Sequence, residues 1–415
     1  MPTRHTPLYR IARYRVQLIC CFSLLLSACQ AADAQRFDRL VLDDAFAGGY
    51  GVEIADVDGD GRMDIVALAT NPAQFVWYRN PGWEKYIISS TAAGNIAAAS
   101  HDIDGDGDMD IVLASAFNLR ASTEGGLVHW LENPGNPMEN QEWQQHLIDQ
   151  IPTSHRLRWA DVNGDGKSEL INLPIIGIGA TEPDYAVGAR LTAYSIPQDP
   201  RAGRWGKVVI SDALEMAHGL SVIDWNGDGR DDLLTASFSG IDLFQMASRG
   251  RMVDQTPLGA GNRGNRPGQG SSEVAVGSLA GQPEGSLESS ARFLASIEPW
   301  HGNEVVVYRP NEDGSLPWAR EVIDTELVGG HALVVADLNN DGRDEIIAGH
   351  RSSPFGLYIY RYMPDTGLWQ RSTLDAGGIG VAGLAVSDFN GDGFADIVAV
   401  GSSTANVVLF ENAGR

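Results

Sequence analysis

Short apolar stretches recur along the whole chain, and acidic or glycine-rich segments separate them. Residues 333–336 and 346–348 are two such stretches on either side of an acidic segment, and residues 357–360 alternate aromatic and aliphatic side chains. A further stretch often begins near a tryptophan, as it does at Trp83. Short apolar runs and period-two alternation predict β-strands and not helices. The 48 glycines of the chain favour the same conclusion, because closely spaced strands need many tight turns.

The acidic segments share one pattern, Asp-x-Asp/Asn-Gly/Asn-Asp-Gly-x-x-Asp/Glu, and an apolar stretch follows each copy. The copies begin at Asp56, Asp102, Asp161, Asp224, Asp337 and Asp388. The interval between the fourth and fifth copies is about two repeats long. We therefore expect a seventh unit there that has lost its acidic loop, with residues 274–277 and 293–296 as its first two strands. Four short strands in a unit of about 40–60 residues are typical of a propeller blade, so the sequence predicts an all-β, seven-bladed β-propeller.

The two ends of the repeat region predict how the ring closes. The last unit stops after its third strand, residues 407–410, and the segment 37–42 has the pattern of a strand without a blade. Pairing of these two segments would complete the seventh blade and remove an exposed sheet edge. An open array, or a different number of blades, is the alternative.

The N-terminal segment has the features of an export signal. Arginines precede an apolar run, residues 16–28, that is too short to be a good membrane span. The run ends in Leu-Ser-Ala-Cys at Cys29, which resembles the lipobox of bacterial lipoproteins. The resemblance implies cleavage before Cys29, acylation of that cysteine and anchoring at the outer membrane, in the periplasm or at the cell surface. Plain secretion with cleavage after Ala34 is the alternative.

This interpretation divides the chain into a signal peptide (1–28), a linker (29–36) and the propeller (37–415). All three cysteines lie at or before Cys29, so the propeller itself contains none. We therefore expect an exported domain without disulfides, whose stability must come from another source.

The acidic loops have the residue types of calcium sites. Side-chain oxygens stand at positions one, three, five and nine, and glycine stands at position six of every copy. The oxygen-bearing residues are Asp56, Asp58, Asp60 and Asp64; Asp102, Asp104, Asp106 and Asp110; Asp161, Asn163, Asp165 and Glu169; Asp224, Asn226, Asp228 and Asp232; Asp337, Asn339, Asp341 and Glu345; and Asp388, Asn390, Asp392 and Asp396. The spacing resembles the first nine positions of an EF-hand loop, without its glutamate at position twelve. Crowded carboxylates repel one another unless a cation neutralises them, so we expect about six Ca²⁺ ions. Solvated turns without an ion are the alternative.

These loops resemble those of FG-GAP/VCBS repeat proteins, and the resemblance covers almost all of residues 37–412. It implies a calcium-binding propeller but says little about function, because such repeats occur in adhesins, integrin heads and polysaccharide-active enzymes. Residues 77–82 and 130–135, each ending in Asn-Pro-Gly, resemble more loosely the propeller domain of aldos-2-ulose dehydratases.

A second set of residues is predicted at the opposite end of the blades. His155, His218 and His331 each lie six residues before an acidic loop, and Tyr50 has the same offset. Equal offsets in a closed ring mean equivalent positions, so these side chains should surround the central channel opposite the calcium loops. The loops after the second strands should bring His301, His350 and Arg351 to the same face as substrate-binding groups.

Two interpretations of these histidines stay open. They form an acid–base site, or a site for a transition metal such as Zn²⁺, since imidazoles bind zinc and exchange protons near neutral pH. Propeller-fold lyases that use a histidine and a tyrosine beside a uronate are an analogy for the first interpretation. Alternatively, each histidine caps the backbone of a neighbouring blade and has no chemical role.

Charge and motifs exclude several classes of function. The chain has a net charge of −24, which disfavours nucleic acid and anionic lipid. No phosphate-binding loop or nucleophile-elbow motif is present. We expect a carbohydrate or cell-surface ligand, no nucleotide, and membrane contact through a lipid anchor only. Three functions remain: a carbohydrate lyase or dehydratase, a non-catalytic binding or adhesion module for glycan or protein, and a structural propeller of the cell envelope. The sequence does not decide whether the chain is an enzyme.

Overall fold

The computed structural model describes residues 1, 35–139, 141–248, 250–279 and 291–414. The predicted signal peptide and Cys29 lie outside the described residues. Within these ranges the regular structure consists of β-strands and two short 3-10 helices, Pro137–Glu139 and Pro200–Ala202. No helix of the described part has the length and hydropathy needed to cross a bilayer.

The strands form seven antiparallel sheets of four strands each. The first strand of the fold is Phe37–Asp43 (β1). The first blade comprises Gly49–Ala55 (β2), Asp64–Ala69 (β3), Gln74–Arg79 (β4) and Glu84–Ser89 (β5). The second comprises Ala97–His101 (β6), Asp110–Ser115 (β7), Leu127–Glu132 (β8) and Gln144–Gln150 (β9). The third comprises Ser154–Ala160 (β10), Glu169–Pro174 (β11), Ala189–Ser195 (β12) and Gly206–Leu214 (β13). The fourth comprises Gly219–Ile223 (β14), Asp232–Ser237 (β15), Gly240–Ala247 (β16) and Arg251–Gly259 (β17). The fifth comprises Glu273–Ser278 (β18), Arg292–Glu298 (β19), Glu304–Arg309 (β20) and Ala319–Asp324 (β21). The sixth comprises Gly330–Ala336 (β22), Glu345–His350 (β23), Gly356–Met363 (β24) and Leu368–Asp375 (β25). The seventh comprises Val381–Ser387 (β26), Asp396–Gly401 (β27) and Asn406–Asn412 (β28).

The ring closes as the sequence predicts. β1 pairs antiparallel with β28, with Leu40 opposite Leu409 and Val41 opposite Val408, so it becomes the fourth strand of the seventh blade. The first strands of successive blades contact one another all the way round, and β26 contacts β2. The prediction of a seven-bladed all-β propeller is confirmed, including the fifth blade without an acidic loop.

Burial follows the radial position of each strand. Second strands such as β3, β7 and β11 are buried along their whole length, because each lies between two neighbouring blades. Outermost strands such as β25 expose most of their residues. Large aromatic side chains, among them Trp77 and Trp130, fill the space between blades and are fully buried. The core is therefore divided between the blades, and the polar positions of the first strands are left to line the channel.

The first strands give the propeller two chemically different faces. Each acidic loop follows a first strand, and its position-nine residue begins the second strand, as Asp64 begins β3. We call this end the loop face. The other end, where β2, β10 and β22 begin, carries Tyr50, His155 and His331, and we call it the histidine face. β1 starts at the loop face, because Phe37 pairs with Asn412 at the end of β28.

Candidate functional site

Four residues with the same sequence offset lie together at the histidine face. The hydroxyl of Tyr50 is 2.9 Å from Nε2 of His155. The ring centroid of His218 is 4.5 Å from that of His155 and 5.3 Å from that of His331. The ring of Tyr50 contacts His331 edge-on at 5.1 Å. The structure therefore brings all four side chains, predicted as candidate catalytic groups, into one cluster.

His301 joins this cluster from the loop after β19. Its Nε2 is 3.0 Å from Nε2 of His218, and its ring lies 5.0 Å from that of His331. One side-chain nitrogen from each of these three histidines lies within 4.8 Å of the others. His301 has a φ of 49°, an unusual conformation for a residue other than glycine, and its ring stacks on Trp300. Such strain is concentrated at functional sites, and here it aims an imidazole at the channel.

Sequence reasoning missed two charged residues of this site. Glu273 accepts a hydrogen bond from Arg156 at 2.8 Å, and the same carboxylate oxygen is 2.8 Å from Nδ1 of His218. A nitrogen of Arg156 also lies 3.2 Å from Nδ1 of His155. The pairing of β18 with β19 places Glu273 at the position equivalent to that of His218, which immediately precedes β14. The missing acidic loop of the fifth blade removed the reference point from which this position would have been counted.

The hydrogen bonds of two histidines fix which ring nitrogen carries the proton. Nδ1 of His331 lies 2.7 Å from the carbonyl oxygen of Ala382, which can only accept, so Nδ1 is protonated and Nε2 has a free lone pair. That Nε2 is buried and has no hydrogen-bond partner among the described residues. Nδ1 of His218 likewise faces the carbonyl oxygen of Ser272, at 3.1 Å. Both rings are therefore held through Nδ1 while Nε2 points into the cluster, as metal-binding imidazoles are held.

The environment keeps the imidazoles neutral. Burial, reinforced by neighbouring positive charge, holds the pKa values of His155, His301 and His331 well below the ordinary range. Burial also raises the pKa of Tyr50, which keeps its hydroxyl protonated. Although burial opposes it, the Arg156 guanidinium holds the pKa of Glu273 below its usual value. The cluster thus offers neutral nitrogen lone pairs beside one paired carboxylate.

Of the two remaining candidate residues, one contacts the cluster and the other does not. Arg351 reaches the cluster, with a guanidinium nitrogen 3.2 Å from Nδ1 of His301. His350 does not: it is buried, its Nδ1 lies 3.0 Å from the carbonyl oxygen of Ser352, and its ring stacks on Tyr358. A histidine in this setting supports the packing of the sixth blade.

A cavity of about 390 Å³ connects the cluster with the interior of the channel. Tyr50, Glu273 and His331 line its outer part, and Glu53 and Arg158 line it further in. Burial raises the pKa of Glu53, and the facing Arg158 opposes that rise. The cavity thus combines a few charged side chains with apolar walls, and it reaches the cluster at Tyr50 and His331.

The acidic loops have a common internal structure that suits a hard cation. The carboxylate of Asp56 accepts the amide hydrogens of Asp60 and Gly61, which folds the loop around position one. Asp64 accepts those of Val57 and Asn80, which ties the loop to β3 and β4. Carboxylate oxygens of positions one, three and nine lie within 4.8 Å of one another in the first two loops. Donor sets made only of oxygen fit calcium better than a transition metal.

The electrostatics of these loops agree with that fit. Burial, together with the neighbouring carboxylates, raises the pKa of Asp64 to about 7, and burial raises that of Asp110 to about 6. Guanidinium groups already contact acidic residues in four of the six loops, those that begin at Asp56, Asp102, Asp224 and Asp337. These arginines balance part of the negative charge, and the raised pKa values show that the buried carboxyls would be stabilised by a further cation.

Comparison with known families agrees with this architecture. Residues 56–113 match the FG-GAP-like repeat family, and residues 380–415 match the FG-GAP repeat family. Residues 125–311 match the family described as aldos-2-ulose dehydratase, beta-propeller domain. The last match includes His155, His218 and His301 but ends before His331.

Individual proteins similar to this chain in sequence or structure include a dehydratase, a lectin and a lyase. Aldos-2-ulose dehydratase of Phanerodontia chrysosporium is 25% identical over 292 residues, which is 65% of this chain. The chain spans only 31% of the length of that protein. A lectin from Agrocybe aegerita that recognises non-reducing terminal N-acetylglucosamine has a TM-score of 0.48 at 15% identity, covering 80% of this chain and 81% of its own. Rhamnogalacturonan lyase YesW has a TM-score of 0.49 at 14% identity, covering 92% and 77%. The strand pairing makes the chain a seven-bladed propeller, and parts of its sequence are similar to FG-GAP repeats and to the β-propeller domain of aldos-2-ulose dehydratase.

Proposed function

We propose that the histidine face is a carbohydrate-processing site of the lyase or dehydratase type, with a transition metal held by His218, His301 and His331. The observation that carries this proposal is the convergence of three imidazole nitrogens beside the Tyr50–His155 pair, one of them buried with no partner in the described ranges. A lone pair buried in this way is costly unless a ligand uses it. A zinc ion has the right preference for neutral imidazole.

The residues of the chain can divide the work of an elimination. Neutral His155 can accept a proton from a carbon next to a carbonyl or carboxyl group of the sugar. The protonated hydroxyl of Tyr50, at 2.9 Å from that ring, can supply a proton to the oxygen that leaves. A metal on the three histidines would polarise the substrate's carbonyl oxygen. Glu273 and Arg156 hold His218 and His155 in place through their contacts.

The relationship to a dehydratase supports this class of function. That enzyme's name states a loss of water from a sugar derivative, and the shared region includes His155, His218 and His301. Because the chain spans less than a third of that protein, the activity itself is a proposal here.

A structural role for the histidines is the second candidate. Nδ1 of His331 contacts the carbonyl oxygen of Ala382, and Nδ1 of His218 contacts that of Ser272, so each does cap the neighbouring blade. Capping explains Nδ1 in both residues but leaves the buried Nε2 of His331 without a partner among the described residues. A non-catalytic glycan-binding site would use the same cavity without turnover.

Turnover separates these candidates. Zinc-loaded protein would be screened against uronate-containing and neutral glycans for the ultraviolet absorbance of an unsaturated product. We expect product with the wild type and a rate about 10²- to 10⁴-fold lower with Tyr50→Phe, which removes only the hydroxyl. Binding without product would favour the binding module, and no binding would leave the structural role.

We further propose that the acidic loops hold about six calcium ions and that Cys29 carries a lipid anchor. The chain reaches β1 at the loop face, where Gln35 contacts the carbonyl group of Leu338 and the side chain of Arg361. An anchor upstream of Gln35 would therefore place the loop face toward the membrane and leave the histidine face accessible. A Cys29→Ser variant should lose membrane association in fractionation. Wild-type protein recovered free of membranes with an unmodified N-terminus would contradict the anchor.

A further inference from the structure

The two arginines of the histidine face differ in how their charge is balanced. Arg156 is paired with the carboxylate of Glu273 at 2.8 Å. Arg351 has no ion-pair partner within the part of the chain that the structure describes, and its guanidinium contact is with the neutral ring of His301. The surrounding imidazoles are uncharged, and no carboxylate among the described residues pairs with the positive charge of Arg351. This is notable in a chain whose net charge is −24.

The contact with His301 uses few of the hydrogen-bond donors of the Arg351 guanidinium. Arginine presents a planar set of donors that matches both oxygens of a carboxylate, whereas Nδ1 of His301 is a single acceptor. Arg351 is only partly buried, and it follows the last residue of β23, so its side chain can meet a ligand that enters from outside. A carboxylate would be a better partner than the imidazole in number of hydrogen bonds and in charge.

The contact also controls the proton of His301. Because Arg351 can only donate, Nδ1 of His301 accepts and its Nε2 must carry the hydrogen, which is directed at Nε2 of His218 3.0 Å away. In that state His301 offers the cluster no lone pair. If another acceptor takes the guanidinium, the proton can occupy Nδ1 and Nε2 becomes available beside His218 and His331.

We propose that Arg351 binds the carboxylate of an acidic sugar, so that the substrate class is a uronate, and that this binding releases His301 to complete the nitrogen cluster. The inference rests on the proposed carbohydrate function of the same site. Uronate and zinc should then strengthen each other's binding, since linkage between two ligands is reciprocal.

The test compares an acid with its neutral ester on matched variants. Calorimetric titrations of the full chain would use trigalacturonate and triglucuronate, their methyl esters, and zinc alone. Arg351→Gln keeps one donor for His301 but removes the charge. Arg120→Gln is the control, because Arg120 is an exposed arginine on the second-to-third-strand loop of the second blade and makes no ion pair among the described residues. Unchanged melting temperatures would establish that both variants fold.

We expect wild type and Arg120→Gln to bind at least one of the acids more tightly than its ester, and Arg351→Gln to lose about 10- to 100-fold in affinity for the acid alone. We also expect the acid to tighten zinc binding in the wild type and not in Arg351→Gln. Equal affinity for the acid and its ester would overturn the role of Arg351. If the protein in that case still bound zinc and turned over a neutral sugar, the proposed function would stand. Absence of binding by zinc and by every sugar would overturn both.

Discussion

The two faces of the propeller are built on the same seven first strands, yet they differ in how strictly their residues repeat. At the loop face, six blades carry the same arrangement of side-chain oxygens and glycine. At the histidine face, the seven equivalent positions, as the strand pairing defines them, hold Tyr50, Ile96, His155, His218, Glu273, His331 and Ala382. A feature that every blade needs is repeated in nearly every blade. A feature that the ring needs once is assembled from different residues at equivalent positions.

The faces also differ in electrostatics. The loop face gathers carboxylates whose pKa values are raised, as that of Asp64 is to about 7, and arginines of the chain balance only part of their charge. The histidine face has neutral rings with lowered pKa values and balances Arg156 internally with Glu273. The first arrangement suits ions that stabilise the fold, and the second suits a metal and a substrate that exchange.

Calcium removal should give the largest effect. Each occupied site contributes about 2.7 kcal/mol at a hundredfold excess of free ion over its dissociation constant. Loss of several sites should therefore lower the melting temperature by at least about 10 °C. Calorimetry in millimolar calcium and in chelator measures this, and readdition of calcium, but not zinc, should restore the transition. Identical melting temperatures in calcium and chelator would show that the loop face does not depend on an ion.

A substitution at His331 should separate capping from metal binding. In His331→Asn the side-chain amide can still donate to the carbonyl oxygen of Ala382, but nothing replaces Nε2. We expect zinc affinity to fall by about 100-fold, in the range typical of a lost ligand or its supporting contacts, with a change in unfolding free energy below about 1 kcal/mol. His129→Asn, outside the cluster, is the control. A large loss of stability with zinc affinity intact would support the structural role instead.

The blades and their closure could be predicted from the sequence because period-two alternation and a repeated acidic loop are local signals. The convergence of Tyr50 with His155, His218 and His331 could be predicted because each lies six residues before an acidic loop. In a closed ring, residues with the same offset occupy equivalent positions in their blades. Glu273 could not be found in this way, because its blade has no acidic loop to count from. His350 was expected at the rim, but it ends β23 with its side chain between strands, and only the packing reveals that.

The two faces should respond differently to pH. A carboxyl whose pKa is raised to about 7 or 6, as in Asp64 and Asp110, holds a proton that calcium must displace. Calcium affinity should therefore fall as pH drops from 7.5 to about 5.5, with measurable proton release. Imidazoles whose pKa values are held well below the ordinary range, such as those of His301 and His331, take up no second proton in the window from 7.5 to 6.5. Zinc affinity should change less than threefold there. Calorimetry in buffers of different ionisation enthalpy counts the protons, and a steep loss of zinc affinity in this window would contradict neutral histidines.

The fifth blade provides the finest test of the comparison, because it shows what replaces a loop that has been lost. Arg292 begins β19 and pairs with Ser278, so it occupies the place that Asp64 or Asp232 has in a loop-bearing blade. Its guanidinium lies 4.0 Å from the ring centroid of Trp225, in the acidic loop of the neighbouring blade, and donates to that residue's carbonyl oxygen at 3.1 Å. A positive charge that belongs to the chain thus stands where other blades present a carboxylate.

If Arg292 takes the place of a calcium-binding carboxylate in the fifth blade, its contribution to the free energy of unfolding should be independent of calcium. Arg292→Met keeps much of the side-chain volume but loses the cation–π contact and the hydrogen bond, so unfolding free energy should fall by about 1–2 kcal/mol. The loss should be the same in calcium and in chelator, whereas Asp102→Asn should be costly in calcium and much less so in chelator. Arg309→Met, on the third strand of the same blade, is the control and should cost under about 0.5 kcal/mol. A cost for Arg292→Met that disappears in chelator would mean that this residue acts through the neighbouring loop's ion, and the fifth blade would then depend on calcium like the others.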